Sequence, residues 1–365
     1  MYINFWYPIC TSEKLNADAP VRSDLLGLGF VAFRDQAGAA HVLSNVCVHR
    51  GGALSKGKVV DGGIACPYHG WRYGGDGRCK SIPSMNGDKP PARAKVDSYP
   101  VQEKYGIVFA FLGDAPEEER SPLYNIEQFR QDGWRESEVM IVNIGAYYQR
   151  SLENGLDPVH NQFVHPLQGA PAVKMDQLET SQMPWGSKMY AYMGQPEIGK
   201  TRMSDLRGKP EDLGAGSWHY GPNVLITSID LSAENNITQV FFEAPVDRSH
   251  TKIYFVNLRN CMMDPAMDDK MRDVNLSIVA EDQGILENLF PIRTPETTTR
   301  EILIRGDECV VNYRDWLKKW ETLGWRMDTK TMRDNYGDIA YAIPCPDRRQ
   351  SGNWVLDPVP LMPAQ

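Results

Sequence analysis

Four side chains between residues 47 and 69 are spaced for metal chemistry: Cys47-Val48-His49 and Cys66-Pro67-Tyr68-His69. Each pair fits within one turn, so two turns together offer two thiolates and two imidazoles. That set suits a single tetrahedral zinc ion. It also suits a two-iron, two-sulfide cluster in which thiolates hold one iron and neutral imidazoles the other, raising the reduction potential above that of an all-cysteine cluster. The neighbouring glycines favour the cluster. Gly51, Gly52 and Gly70 carry no Cβ, so backbone N–H groups can approach bridging sulfides. A second set follows at Asp157-x2-His160-x4-His165. Two histidines and one carboxylate on one face of iron(II) leave positions open for dioxygen, with a substrate alongside. A redox centre and an open iron site on one chain imply delivered electrons spent on activating oxygen.

The elements around these residues must do specific work. At about 100° per residue, five steps from His160 point the second imidazole well away from the first on a regular helix. A wide turn or helix break is therefore expected between them. Asp157-Pro158 reads as an N-cap followed by proline at the first helical position. From residue 21 to about 112 the chain reads as short strands, among them 29–34, 59–65 and 106–112, with Gly74-Gly75-Asp76-Gly77 as a turn. Such spacing predicts a compact antiparallel β domain. The acidic stretch 113–122 reads as a solvated linker, which places one domain at 1–115 and a second at 116–365. In the second, the alternating runs 224–230, 237–243 and 251–257 predict strands of a larger antiparallel sheet. Segments 269–289 and 307–320 have helical composition, and 168–216 reads as a long, partly irregular excursion. The fold class is α+β.

Composition bounds the function. The 365 residues allow two domains, and 42% hydrophobic with 24% charged residues is an ordinary globular balance. A net charge of −8 argues against nucleic acid or an anionic membrane as partner. No apolar stretch is long enough to span a bilayer. The opening Met1-Tyr2-Ile3-Asn4-Phe5-Trp6 lacks the pattern of a signal peptide. Seven scattered cysteines do not read as a secreted disulfide framework, so a reducing cytoplasm is expected.

The segments Cys47-Val48-His49-Arg50-Gly51-Gly52 and Cys66-Pro67-Tyr68-His69-Gly70-Trp71 resemble Rieske domains over roughly residues 1–115. Rieske proteins of respiratory complexes carry an extra cysteine in each loop, and here those places hold Gly52 and Tyr68. The resemblance is therefore to the ferredoxin and oxygenase type, and Cys79 reads as an ordinary thiol. With Asp157-x2-His160-x4-His165, it extends to the Rieske non-heme iron oxygenase family, and the Glu153-Asn154-Gly155-x-Asp157 text is most similar to its homotrimeric members. These include aromatic O-demethylases, ketosteroid hydroxylases and the carbazole type.

The resemblance implies a [2Fe-2S] cluster on Cys47, His49, Cys66 and His69, and a helix-grip catalytic domain with an antiparallel sheet and helices. It implies a mononuclear Fe(II) held by His160, His165 and a carboxylate on a late helix. Asp282 is the choice for that carboxylate, Glu281 the main rival, with Asp273 and Glu287 behind. Asp157 would bridge His69 of one subunit to His160 of the next, and Glu153 and Asn154 would support the site. The cosubstrate is O2. NAD(P)H and flavin enter only through a separate reductase, with or without a ferredoxin, because no flavin or nicotinamide motif occurs here. The expected activity is hydroxylation or oxidative demethylation of an aromatic or polycyclic molecule. Ring dihydroxylation and a non-catalytic Rieske electron carrier are the alternatives. For the pocket, Trp185, Met189, Tyr192, Met193, Met203 and Trp218 offer apolar bulk, and Arg202, His219 and Asn223 offer polar anchors.

Overall fold

The computed structural model describes residues 1–165, 172–194 and 214–364. Two compact units emerge, Met1–Leu123 with Trp320–Gln365, and Tyr124–Lys319. The expected boundary after residue 115 thus falls at 123. The expected second domain also loses its end, because residues 320–365 return to the first unit.

The physical reason for that return is a set of contacts that linker composition could not reveal. Phe5 meets Trp320 and Trp325 edge-on at 4.9 and 5.6 Å between ring centres. The Ile3 and Met327 backbone N–H groups donate to the carbonyls of Trp325 and Met1. Farther along, the Arg348 guanidinium donates from Nε and Nη2 to the two oxygens of Asp97 at 2.6 and 2.8 Å, and the Cys345 N–H joins them at 3.1 Å. Asp97 is fully buried.

The rest of the first unit is antiparallel β. A sheet of β1 (Phe5–Thr11), β10 (Val101–Lys104) and β11 (Ile107–Leu112) runs in the order β1-β11-β10. A second holds β2 (Val21–Leu25), β3 (Leu28–Arg34), β4 (Ala40–Ser44) and β9 (Ser98–Tyr99). A third holds β5 (Lys58–Val60), β6 (Gly63–Ala65), β7 (Arg72–Tyr73) and β8 (Cys79–Ser81). The run 59–65, expected as one strand, folds back on itself. Asp61 and Gly62 both take positive φ, 47° and 72°, the two-residue turn that the right-handed twist of a hairpin prefers.

The second unit is built on one sheet. Among the described residues it has eight antiparallel strands: β12 (Arg135–Glu136), β13 (Met140–Ile144), β14 (Glu179–Met183), β15 (Gly186–Tyr192), β16 (Gly214–Tyr220), β17 (Val224–Asp230), β18 (Asn236–Pro245) and β19 (Thr251–Arg259). The hairpin β14–β15 lies where irregular chain was expected. Its Ser, Gln and Lys content hid it, and β14 is exposed almost throughout, as an edge strand can be. Between β13 and β14 come α1 (Tyr148–Gly155) and a single turn, α2 (Asn161–Val164). After the sheet come α3 (Asp268–Leu286) and α4 (Glu308–Thr322). Among the described residues, no helix is long and apolar enough to cross a membrane.

Helix α3 fixes the geometry of this unit. Met271, Asn275, Val279, Asp282 and Leu286 recur at three to four residues and form one face. Leu286 and Val279 pack with Ile144, Ile253 and Phe255 of the sheet, and Met271 packs with Ile237. Asp268 at its start accepts hydrogen bonds from Arg135 and from the buried Arg259, so the helix is pinned at its N-terminus as well. Helix α1 is held by Glu153, whose two oxygens accept from Arg314 of α4 at 2.7 and 3.0 Å.

The Asp97–Arg348 pair carries a testable load. Asp97→Asn leaves a guanidinium buried without its counter-charge, which lowers unfolding stability by about 3–5 kcal/mol. Urea denaturation followed by tryptophan fluorescence measures it.

Candidate metal centres

The two loops of the first unit repeat one turn. The Gly51 N–H donates to the Cys47 carbonyl and the Gly70 N–H to that of Cys66, while the Cys47 and Cys66 N–H groups donate to the carbonyls of Gly52 and Trp71. Gly51 and Gly70 take φ of 73° and 72°, a region in which a side chain is strained. Gly52 is needed for a different reason. A Cβ there would sit 2.9 Å from the Cys66 sulfur.

Cys47 and Cys66 are buried in the core between β3, β6 and β7, whereas His49 and His69 are exposed at the edge. The histidine rings lie 4.5 Å apart, and Trp71 stacks flat on His49 at 4.5 Å. The Tyr73 hydroxyl is 3.2 Å from the Cys47 sulfur. Burial pushes the Cys47 thiol up, against the pull of Tyr73, so its thiolate calls for positive charge close by. Among the described residues, only His160, His165 and Asp282 form a group of three or more such donors within 4.8 Å of one another. The four loop donors therefore do not converge on a single ion, as tetrahedral zinc requires. A thiolate pair inside and an imidazole pair outside fit a two-iron cluster.

The second set does converge. Nε2 of His165 lies 3.1 Å, and Nε2 of His160 lies 3.6 Å, from Oδ1 of Asp282. Ligands about 2.1 Å from one ion and roughly 90–115° apart are about 3.0–3.5 Å from each other, so one metal fits all three. The backbone shows how the awkward spacing is solved. Helix α1 ends at Gly155, and Asp157 does not cap a new helix. Its Oδ1 accepts from the Val159 N–H at 2.8 Å in a tight turn. His160 then precedes the single turn α2, and His165 follows it at φ −115°, ψ 58°, outside the helical region. The chain leaves the helix at His165, which turns its ring back toward His160 at 5.2 Å between centres.

Both histidines are oriented through their other nitrogen. Nδ1 of His160 meets the backbone carbonyl of Asp157. Nδ1 of His165 donates to Oε2 of Glu281 at 2.8 Å. Such partners fix which nitrogen keeps its lone pair for the metal. Burial disfavours a charged His165, but Asp282 and Glu281 outweigh it and raise its pKa. Nδ2 of Asn154 donates to Oδ1 of Asp282 at 2.9 Å. Of the other acidic candidates, Asp273 pairs with Arg272, and Glu287 accepts from the Gly145 N–H. The Asp157 carboxyl is held above the usual carboxylate range, first by burial. The backbone hydrogen bonds it takes from Val159 and His160 offset that burial only in part, and the His160 ring meets its carbonyl.

A cavity opens from this centre between α3 and the sheet. Its walls follow the strand period of two: Ser217 on β16, Leu225, Thr227 and Ile229 on β17, Ile237, Gln239, Phe241 and Glu243 on β18, and Ile253 and Phe255 on β19. Met189 and Met193 line it. Trp185, Tyr192, Trp218, His219 and Asn223 do not. Trp218 has the wrong parity on its strand, and one step of parity moves a side chain to the opposite face. It donates instead to the Tyr124 hydroxyl at 3.1 Å. His219 is buried against Ser187, and burial lowers its pKa to about 4. The Asn223 side chain donates to the Glu243 carbonyl. Tyr192 is partly exposed, and Trp185 occupies the β14–β15 turn at φ 67°. Arg202 and Met203 lie outside the described residues. Sequence reasoning missed Glu243, Gln239 and Asn275, which line the cavity. Only strand parity around the Val224 and Ile237 runs could have pointed to the first two.

Known proteins share both halves of this arrangement. Residues 5–100 match the family described as Rieske [2Fe-2S] domain, and 144–323 that described as vanillate O-demethylase oxygenase C-terminal domain. The chain belongs to the Rieske non-heme iron oxygenase family. Within that family, the methylxanthine N1-demethylase NdmA of Pseudomonas putida is 25% identical over 331 residues, covering 87% of this chain and 88% of that protein. The 3-chlorobenzoate-3,4-dioxygenase oxygenase subunit of Comamonas testosteroni is 34% identical over 166 residues, 44% of this chain and 37% of that one. Chlorophyllide a oxygenase of Chlamydomonas reinhardtii is 37% identical over 165 residues, 44% of this chain and 24% of that one. These last two matches thus span well under half of the relatives' length. The crystal structure of dicamba monooxygenase bound to dicamba shares the fold with TM-score 0.73 at 22% identity, covering 88% of this chain and 97% of that one. The family's [2Fe-2S] cluster and mononuclear iron both find fitting donors here.

Two substitutions separate the carboxylates of this oxygenase. Asp282→Ala abolishes iron at the second centre and leaves labile sulfide and the visible cluster spectrum intact. Glu281→Gln retains the ligand set and weakens iron affinity by about 10–100-fold. Metal analysis after dialysis against graded chelator reads both.

Proposed function

We propose that this chain is the terminal oxygenase of a multicomponent system, which hydroxylates or oxidatively demethylates a small aromatic or polycyclic molecule. The observation that carries the reading is the convergence of His160, His165 and Asp282 at one end of a largely apolar cavity. When bound, the cluster supplies single electrons, and the ferrous ion supplies dioxygen activation. The chain's own residues do the rest. His160, His165 and Asp282 hold one face of the ion and leave the cavity side for dioxygen and substrate. Glu281 and the Asp157 carbonyl lock the two imidazoles, and Asn154 steadies Asp282. The Leu225, Ile229, Phe241 and Phe255 walls exclude water and orient the substrate.

Asp157 is assigned the bridge between subunits, linking His69 of a neighbouring chain to His160. The exposed edge position of His49 and His69 supports this, as does a partly buried Asp157 carboxyl beside the His160 backbone. A head-to-tail ring of three copies is the assembly proposed, since a heterologous contact closes as a cyclic oligomer. Phe290 and Ile302, at 91% and 92% exposed, give the second unit apolar surface for such a contact. A separate reductase is the proposed electron source. The proposed compartment is the cytoplasm, supported by seven cysteines of which none forms a disulfide.

Ring dihydroxylation is the second reading, favoured by the match to the 3-chlorobenzoate-3,4-dioxygenase subunit. Turnover under labelled dioxygen divides the two: one labelled atom in the product for monooxygenation, two for dihydroxylation. The decisive experiment reconstitutes the chain with a surrogate reductase and compares oxygen consumed with product formed across aromatic candidates. His160→Ala stops product formation while the cluster remains reducible; a mere electron carrier keeps transferring electrons and never forms product. Asp157→Asn keeps both metals and slows turnover at least about tenfold, the scale for losing an outer partner of a metal site. Undiminished coupled turnover in that variant removes the bridge.

A further inference from the structure

Among the described residues, Glu243 is the one acidic side chain of the cavity wall that no metal role claims. It is fully buried, on the inward row of β18, and Ser151 of α1 is the one hydrogen-bonding neighbour given for its carboxyl group among the described residues. Its backbone is satisfied, the N–H by the Asn223 carbonyl and the carbonyl by the Asn223 amide. Unmade hydrogen bonds on a buried group cost about 1–3 kcal/mol each, and native proteins keep such groups where they serve a function. Burial drives its pKa well above the carboxylate range, and Ser151 of α1 offsets this only in part. Burial thus favours the neutral acid form, which has a donor and an acceptor side by side. Ser151 lies one turn of α1 from Asn154, about 4.5 Å along the axis, so Glu243 stands near the metal end of the cavity. Among the described residues the lining contains no lysine or arginine.

Resting on the oxygenase reading, we infer that Glu243 anchors the substrate, and that the substrate class is neutral, presenting an adjacent N–H and C=O such as a lactam or cyclic amide. An acid and an amide edge form two mutual hydrogen bonds, each group meeting its complement. A cavity built this way rejects analogues that leave its polar group unpaired. It also rejects carboxylates, which meet an acid among apolar walls.

The test is binding, read without turnover. Quinolin-2-one, its N-methyl derivative, naphthalene and 2-naphthoate are titrated calorimetrically into the iron-loaded full-length protein. Quinolin-2-one is expected to bind at least about tenfold tighter than the other three, as two net hydrogen bonds allow. Glu243→Gln keeps a donor beside an acceptor and holds lactam affinity within about threefold, whereas Glu243→Leu loses the preference and leaves naphthalene unchanged. An infrared carboxylic-acid band present at pH 7 and absent from Glu243→Gln reports the protonated state even if the leucine variant fails to fold. Equal affinity for lactam and naphthalene overturns the inference, as does an equal loss for both ligands in Glu243→Leu or a tighter grip on 2-naphthoate. These outcomes leave the oxygenase reading intact. Lactam selectivity with no coupled oxygen uptake would sink that reading and spare this one.

Discussion

The catalytic unit depends on one contact: the two ring nitrogens of His165 face two carboxylates that are neighbours in sequence, Glu281 and Asp282. Adjacent helical residues point about 100° apart and ordinarily serve different surroundings. Here one imidazole lies between them, so a single helix supplies both a metal ligand and the group that orients another ligand. The position of α3 then decides whether the centre exists at all. Its placement is not left to the site. Met271 and Leu286 sink into the sheet at either end, and Asp268 is clamped by Arg135 and Arg259 at the start. A rigid helix on a rigid sheet can hold ligand atoms to the few tenths of an ångström that coordination requires.

The same packing creates the cavity. A face of α3 that repeats at three to four residues meets strands that repeat at two, and the inward rows do not interdigitate fully. The space left is lined largely by apolar residues, with polar groups that include Ser217, Thr227, Gln239, Glu243 and Asn275. Gln239 and Asn275 satisfy one another in part, at 3.0 Å from Nε2 to Oδ1. Glu243 has Ser151 beside it, which offsets its burial only in part. Polar groups placed this way cost stability in the unliganded chain, and that cost converts to selectivity when a ligand supplies the missing partner.

Much of the centre was legible in the sequence because metal chemistry leaves few choices. Cys47, His49, Cys66 and His69 stand in two loops whose glycines fit only that turn, and the choice of Asp282 over Glu281 agrees with the distances to His160 and His165. The Asp157-Pro158 cap was misread, because the same residues serve a tight turn as readily as a helix start. The pocket was least legible. Trp218 and His219 are large and suggestive, but lining is set by strand register, which a one-residue step inverts. The β14–β15 hairpin was hidden by polar composition, since an edge strand needs no apolar face. The return of residues 320–365 to the first unit depends on pairing across the whole chain, which local pattern does not encode.

That return has a consequence for how the two functions are coupled in one polypeptide. The redox unit is discontinuous, and it closes only when Trp320, Trp325 and Arg348 meet Phe5 and Asp97. The catalytic unit is one continuous stretch inserted between those two parts. Loop-closure entropy grows only as the logarithm of loop length, so an insertion of this size adds a few kcal/mol at most to the cost of joining the ends. An aromatic cluster and a bidentate buried ion pair are of the scale needed to offset it. The cluster-bearing lobe therefore draws part of its stability from a properly folded catalytic unit, which ties the integrity of the electron donor to that of the site it serves.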